Sequence, residues 1–154
     1  MMQITELEVW KAGIELAKST YELSERFPAV ENYGLAYQLR RTVTGIPSNV
    51  AAAASRKHGK ESLRHLFRAR DLIYEVESLF YLSERLGYLT ESELEMMLDT
   101  LNTSKRLLFG FIKYYKRSGT YENQGPRGRN SNYHHESDDH DPEEHDHDIQ
   151  DDEF

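Results

Sequence analysis

The sequence contains no cysteine. A disulfide framework, thiol chemistry and any cysteine-based metal site are therefore excluded. Long apolar runs are missing too, since nothing approaches the roughly 18 residues that a membrane-spanning helix needs. The opening residues, MMQITELEVW, lack a basic stretch followed by a long apolar one, so no signal peptide is expected. There is no Gly-x-Ser-x-Gly elbow, no glycine-rich phosphate loop and no zinc-hydrolase helix motif. Glu75 and Glu77 stand two apart and point to different sides of a helix, so they do not form a matched acid–base pair. These absences predict a cytoplasmic, non-enzymatic protein without cofactor, metal site or membrane segment.

The charge is unevenly placed. The whole chain of 154 residues carries a net −8, but residues 1–119 carry +2 and residues 120–154 carry −10. The last segment is polar, acidic and nearly free of aliphatic residues. It cannot bury enough apolar surface to offset the entropy of ordering, so it is predicted to be a disordered acidic tail. Residues 1–119 are predicted to form one domain. The tail histidines His134, His135, His140, His145 and His147 lie among Asp and Glu, but without fixed ligand spacing they suggest adventitious metal binding, not a built site. His58 and His65 are seven apart, about 10.5 Å along a helix, too far to chelate one ion directly.

Within residues 1–119 the apolar residues recur in steps of three and four. Thr5 and Glu8 read as a capping box, flanked by Ile4 and Val9 as a staple. A first helix then follows the stripe Leu7, Trp10, Ile14, Ala17 and Tyr21, widened by Leu16 and Leu23, and ends before Phe27-Pro28. A second helix carries Leu35, Leu39, Val43, Ile46, Val50 and Ala53 or Ala54. Pro47 interrupts it, removing a backbone hydrogen bond at a cost of about 3 kcal/mol, which predicts a bend held by neighbouring helices. Asn49 reads as the amide donor for the carbonyl that the proline frees. A link over Ser55–Gly59 leads to a third helix, about Lys60 to Leu86. Its stripe is Leu66, Ala69, Ile73, Val76 and Phe80, with Leu63, Leu72, Leu79 and Leu82 beside it. Gly87 stands where a left-handed C-terminal residue belongs. Leu89-Thr90-x-x-Glu93-Leu94 repeats staple and box. The fourth helix follows Leu94, Leu98, Leu101, Lys105, Leu108, Ile112 and Tyr115, and is predicted to stop at Ser118-Gly119. Lys105, inside an apolar stripe, either snorkels to solvent or pairs with Glu77. Long helices with short links predict an all-α, antiparallel up-down-up-down four-helix bundle. Wide apolar faces predict self-association.

Several of these residues form a recognisable set. Leu7-x-Val9-Trp10, Phe27-Pro28, Tyr33-Gly34-Leu35, Gln38, Arg40-Arg41, Ile46-Pro47-x-Asn49-Val50-Ala51 and Tyr74-Glu75-Val76-Glu77 together resemble the bacterial four-helix bundle family, also called the 23S ribosomal RNA intervening-sequence protein family. The resemblance covers about residues 4 to 117. The chain has Ala52-Ala53 where the family often has Glu-Gly, and Asp71-Leu72 where it has Gly-Ser. The resemblance implies a homo-oligomer, with a pentamer as the family's form. Related pentameric bundles accompany reverse transcriptases in diversity-generating retroelements, an analogy that favours nucleic acid as a partner.

The residues that point to a function are basic. From Arg40 to Arg70 there are eight Lys and Arg against one acid, Glu61. Lys60, Arg64 and Arg68 fall four apart and line one face, about 200° around the helix from Leu66. With Arg40, Arg41, Arg56 and Lys57 they are the candidate contacts to RNA or DNA phosphates, which suit arginine's fork of donors. The competing reading is a solvated helix face, or a protein-interaction scaffold whose basic residues serve subunit contacts without binding nucleic acid. Arg40 and Arg41 carry a further expectation, an ion pair with Glu75 or Glu77 on the third helix. The acidic tail could fold over the basic face and compete with nucleic acid, or serve only as a solubilising appendage.

Overall fold

The stripe from Leu35 to Ala53 is buried along its whole length, and the other helices are arranged around it. The computed structural model describes residues 3–56 and 59–122. Four helices form: α1 (Glu8–Ser24), α2 (Leu35–Ala54), α3 (Lys60–Arg85) and α4 (Glu91–Glu122), with 3-10 turns at Ile4–Glu6 and Ala29–Tyr33. Among the described residues there is no strand. Each helix packs on its sequence neighbours, and α1 closes against α4. With short links, this is the antiparallel up-down-up-down bundle around one core. No helix among the described residues is long and apolar enough to cross a membrane. Expectations for Lys57, His58 and the tail beyond Glu122, with its histidines, lie outside the described residues.

α2 runs through Pro47 without a break. Pro47 offers no N–H to the Val43 carbonyl. Around it, side chains bond back along the helix. Thr42 Oγ1 donates to the Gln38 carbonyl at 2.7 Å, Thr44 Oγ1 to that of Arg40 at 3.0 Å and Ser48 Oγ to that of Thr44 at 2.8 Å. Asn49 Nδ2 donates to the Gly45 carbonyl at 2.8 Å. Asn49 therefore serves a carbonyl of the preceding turn, as expected, but not the one that the proline frees. Neighbours come close on both sides. A Cβ on Gly13 of α1 would sit 3.3 Å from the Pro47 ring, and one on Gly45 would meet Leu72 of α3 at 2.7 Å.

α1 departs from its predicted face. It buries Val9, Gly13, Leu16, Ala17, Thr20 and Ser24, whereas Ile14 and Tyr21 are 38% and 43% exposed. The cause is the close approach to α2, which small side chains permit. Thr20 Oγ1 donates to the Leu16 carbonyl at 2.7 Å and Ser24 Oγ to that of Tyr21 at 3.1 Å, so burying these hydroxyls leaves no donor unpaired. The predicted Thr5–Glu8 box is absent. Leu7 is the N-cap, without a side-chain hydrogen bond, because it packs against the core. Glu8 pairs instead with Lys11 at 3.1 Å.

The link between α3 and α4 follows its sequence closely. Gly87 has φ +79°. Its N–H donates to the Glu84 carbonyl and that of Tyr88 to the Ser83 carbonyl, both at 2.9 Å, the two bonds of a Schellman motif. Thr90 N–H donates to Glu93 at 3.2 Å and Glu93 N–H to Thr90 Oγ1 at 3.1 Å, completing the capping box. α4 then continues past Ser118 and Gly119 to Glu122. Ser118 bonds back to the Tyr114 carbonyl at 3.0 Å, and one glycine costs a long helix only about 1 kcal/mol. Its buried face includes Met97 and Ser104 where Leu98 and Lys105 were predicted. Lys105 Nζ instead pairs with Glu77 at 2.9 Å across α3 and α4. At the start of α2, the Leu35 N–H donates to Glu31 Oε2 at 2.6 Å and the Tyr88 hydroxyl to Glu31 Oε1 at 3.1 Å. Burial, then the Glu31 carboxylate, pushes the Tyr88 hydroxyl above its usual range.

Arg26 ties the end of α1 to the start of α4 by bonding Glu93. That bond, then the Thr90 N–H, holds the Glu93 carboxyl below the usual glutamate range. A depressed folded-state value stabilises the fold above the unfolded glutamate pKa of about 4.3. The stabilisation is lost as pH falls through the lower folded value. Glu93→Gln should therefore melt below the wild type at pH 7, and the gap should narrow as the pH falls below the unfolded glutamate range. A gap that persists undiminished in acid would show that ionisation of Glu93 is not its source.

Candidate nucleic-acid interface

The α2–α3 connection sets the position of the basic residues. The Ser62 hydroxyl, buried at the start of α3, donates to the Ala53 carbonyl at 3.0 Å. This pins the first turn of α3 to the last turn of α2. Arg56 projects from the end of α2, and Lys60, Arg64 and Arg68 follow on the outer face of α3, all exposed. Arg56 pairs with Glu61 at 3.1 Å, Arg64 with the same carboxylate at 3.8 Å and Arg68 with Glu75 at 3.9 Å. Side-chain exposures of 77% for Arg64 and 57% for Arg68 put these long contacts among surface pairs worth about 0–1 kcal/mol. The guanidinium groups remain open to an anionic ligand. His65, on the α2 side of α3, places Nδ1 3.2 Å from Asn49 Oδ1.

Arg40 and Arg41 do not join this group. Sixteen residues separate Arg40 from Arg56, about 24 Å along α2. Arg40 turns to α1, where Nε donates to Ser24 Oγ at 2.9 Å and the guanidinium lies 5.1 Å from the centre of the Tyr21 ring. Arg41 is exposed. Among the described residues neither pairs with a carboxylate, so the expected link to Glu75 or Glu77 is not made. Those two acids face Arg68 and Lys105 instead. A 100° step between adjacent residues says that they point apart, but not which neighbouring helix each one meets.

A second basic region, on α4, was not singled out in the sequence. Asp99 is the last acid before Glu122, and Lys105, Arg106, Lys113, Lys116 and Arg117 lie between them. Because α3 and α4 are antiparallel, this half of α4 lies beside the basic first half of α3. The first half of α4 carries Glu91, Glu93, Glu95 and Asp99 near the Gly87 turn. The α3–α4 hairpin is therefore split, with acids toward its turn and cations away from it. Part of the α4 pattern suits the helix dipole, which favours cations near a C-terminus. The acid-free run from residue 100 to 121 was the signal available for this surface. Among the described residues, no group of three or more His, Asp and Glu is placed to hold a metal ion.

Comparison with known proteins agrees with this architecture. A crystal structure of a Bacteroides thetaiotaomicron protein of unknown function, from the S23 ribosomal protein family, superposes with a TM-score of 0.63 at 22% identity. The match covers 68% of this chain and 98% of that one, and at this identity it speaks for the fold alone. No curated protein matches the chain. Residues 5–110 match the family described as 23S rRNA-intervening sequence protein. With the bundle, the Pro47-bearing second helix and a match over most of the chain, this protein belongs to the 23S rRNA-intervening sequence protein family.

Proposed function

We propose that this chain is a non-enzymatic, cytoplasmic homo-oligomer that associates with nucleic acid or ribonucleoprotein through the basic surface at the α2–α3 connection. The observation that carries the proposal is the gathering of Arg56, Lys60, Arg64 and Arg68 on one solvent-facing surface, beside the acid-free half of α4. Such a surface neutralises phosphates and releases their counterions. The family's name, which ties it to ribosomal RNA, points the same way. A ring of copies, pentameric by family resemblance, would repeat the stripe and raise the local potential.

The alternative is a scaffold whose basic residues serve subunit contacts. Val30 and Tyr33, 80% and 95% exposed, offer an apolar surface for association, together with Tyr37. They lie in the turn before α2 and on its first turn, whereas the stripe lies beside its end. Self-association through the apolar end would leave the cations open, so the two properties are compatible. The test is RNA and DNA binding over a salt series, with assembly mass recorded on the same sample. Binding that weakens steeply with salt supports the proposal. A well-formed assembly that binds neither nucleic acid at low salt would refute it.

The acidic residues that follow α4, which we take as a separate segment, oppose this surface in charge. Removing the chain beyond Glu122 should tighten nucleic-acid binding at low ionic strength, with the gain shrinking as salt screens the charges. Equal affinities of the shortened and full chains at low salt would rule out competition by the segment.

A further inference from the structure

We propose that the groove between α3 and α4 is a binding site for single-stranded nucleic acid, an inference that rests on the nucleic-acid reading above and names its substrate class. The groove combines cations with aromatic rings. One open hollow, of about 620 Å³, is bounded by Arg70, Asp71, Tyr74, Phe109 and Lys113. A second, of about 540 Å³, continues from it along the surface of α4 and is bounded by Lys105, Arg106, Phe109, Gly110 and Lys113, all of that one helix. Phe109 and Lys113 thus border both spaces, each large enough to hold a nucleobase.

Cations lie over the rings. The Arg70 guanidinium is 4.8 Å and Lys116 Nζ 5.4 Å from the centre of the Phe67 ring, and Lys105 Nζ is 4.8 Å from that of Tyr74. Two acids face the groove: Asp71, 3.8 Å from Arg70, and Glu77, 2.9 Å from Lys105. Among the described residues no carboxylate pairs with Arg106 or Lys113, so the groove remains positive. Rings beside a positive track are the means by which proteins hold unpaired strands, the bases stacking and the phosphates following the cations. A duplex keeps its base faces inside the stack and could offer these rings nothing. From Lys105 to Lys116 the groove runs about 16 Å at 1.5 Å per residue, room for about five stacked nucleotides.

Gly110 adds an independent observation. A glycine inside a helix is costly relative to alanine, and packing usually explains one. Here a Cβ would meet nothing within 4 Å. Its position on the lining of the second hollow gives a different reason: a bare backbone lets a ligand come close.

The test uses the full chain and fluorescently labelled oligouridylate and oligothymidylate of 5 to 15 nucleotides, a duplex of matched length, and polyglutamate as a non-nucleic polyanion. Tyr74→Leu, Phe109→Leu and Gly110→Leu are compared with wild type, and with Lys60→Gln/Arg64→Gln/Arg68→Gln. Far-ultraviolet circular dichroism verifies that each is folded. We expect the single strands to bind at least about tenfold tighter than the duplex. Each ring variant should lose about 5- to 100-fold with its salt slope unchanged. Gly110→Leu should also lose affinity while melting at a higher temperature, a combination that a structural role would not give. Strands carrying 4-thiouridine should photocrosslink to peptides containing Tyr74 or Phe109. If the triple neutral variant loses binding while the ring and glycine variants keep it, or if the duplex binds equally well, the groove is not the site although the basic surface remains one. Polyglutamate binding with the same variant losses would make the groove a site for acidic peptide and overturn the proposal. No nucleic-acid binding at the lowest salt would overturn both.

Discussion

Truncating Leu16 to alanine should destabilise the bundle by about 2–5 kcal/mol, whereas truncating Ile14, two residues away, should cost under about 1 kcal/mol. Leu16 is fully buried and Ile14 is 38% exposed. Leu16→Ala loses the transfer energy of the removed carbons and leaves a cavity, because the surrounding side chains relax only in part. The close approach of Gly13 to the Pro47 ring at 3.3 Å gives α1 little room to settle inward and close the gap. Phe80, also fully buried, gives the corresponding test on α3, where Phe80→Ala should cost about 3–5 kcal/mol. Denaturant midpoints at constant slope measure these changes. A loss at Ile14 equal to that at Leu16 would contradict the orientation of α1, unless the variant also changed the mass of the assembly and so placed Ile14 between copies.

Neutralising Lys60, Arg64 and Arg68 together should leave the melting temperature nearly unchanged and flatten the salt dependence of nucleic-acid binding. Each phosphate contact contributes about 0.7–0.9 to the slope of log K against log salt, so three contacts contribute about 2–3 units. Between 50 and 200 mM salt the wild type should therefore weaken about 20- to 40-fold more than the triple variant. The fold should tolerate the change because these side chains are exposed and their ion pairs are long. Glu61→Gln should act in the opposite direction, since its carboxylate faces Arg56 at 3.1 Å and Arg64 at 3.8 Å. A triple variant that kept the wild-type slope would assign the stripe to solvation alone.

The legibility of the sequence followed the chemistry of burial. α2 and the centre of α3 bury aliphatic and aromatic side chains at helical spacing, so both faces could be read residue by residue. α1 buries Gly13, Thr20 and Ser24. A pattern that follows only large apolar residues passes over these and selects Ile14 and Tyr21. The hydroxyls are satisfied on their own helix, a fact of geometry that composition does not carry. Local rules worked where the partners are close in sequence, as at Gly87 and the Thr90–Glu93 box. They failed at Thr5, where packing of Leu7 fixed the start of α1. The site divided in the same way. The α3 stripe was legible because four-residue spacing fixes a face. The destination of Arg40 on α1 was not, and the groove between α3 and α4 needed two helices to be placed side by side.

The split of charge along the α3–α4 hairpin has a consequence for symmetry. The bundle, taken without the acidic segment that follows α4, has cations at one end of this hairpin and acids at the other, and so carries a dipole moment along it. In any cyclic assembly, rotation about the symmetry axis cancels the vector components perpendicular to it and sums the parallel ones. Copies standing along the symmetry axis would therefore form a ring with one electropositive face and one electronegative face. Like faces of two such rings repel and unlike faces attract. If the proposed assembly forms, this division of charge would give it one side suited to a polyanion and would orient its approach to a negatively charged partner.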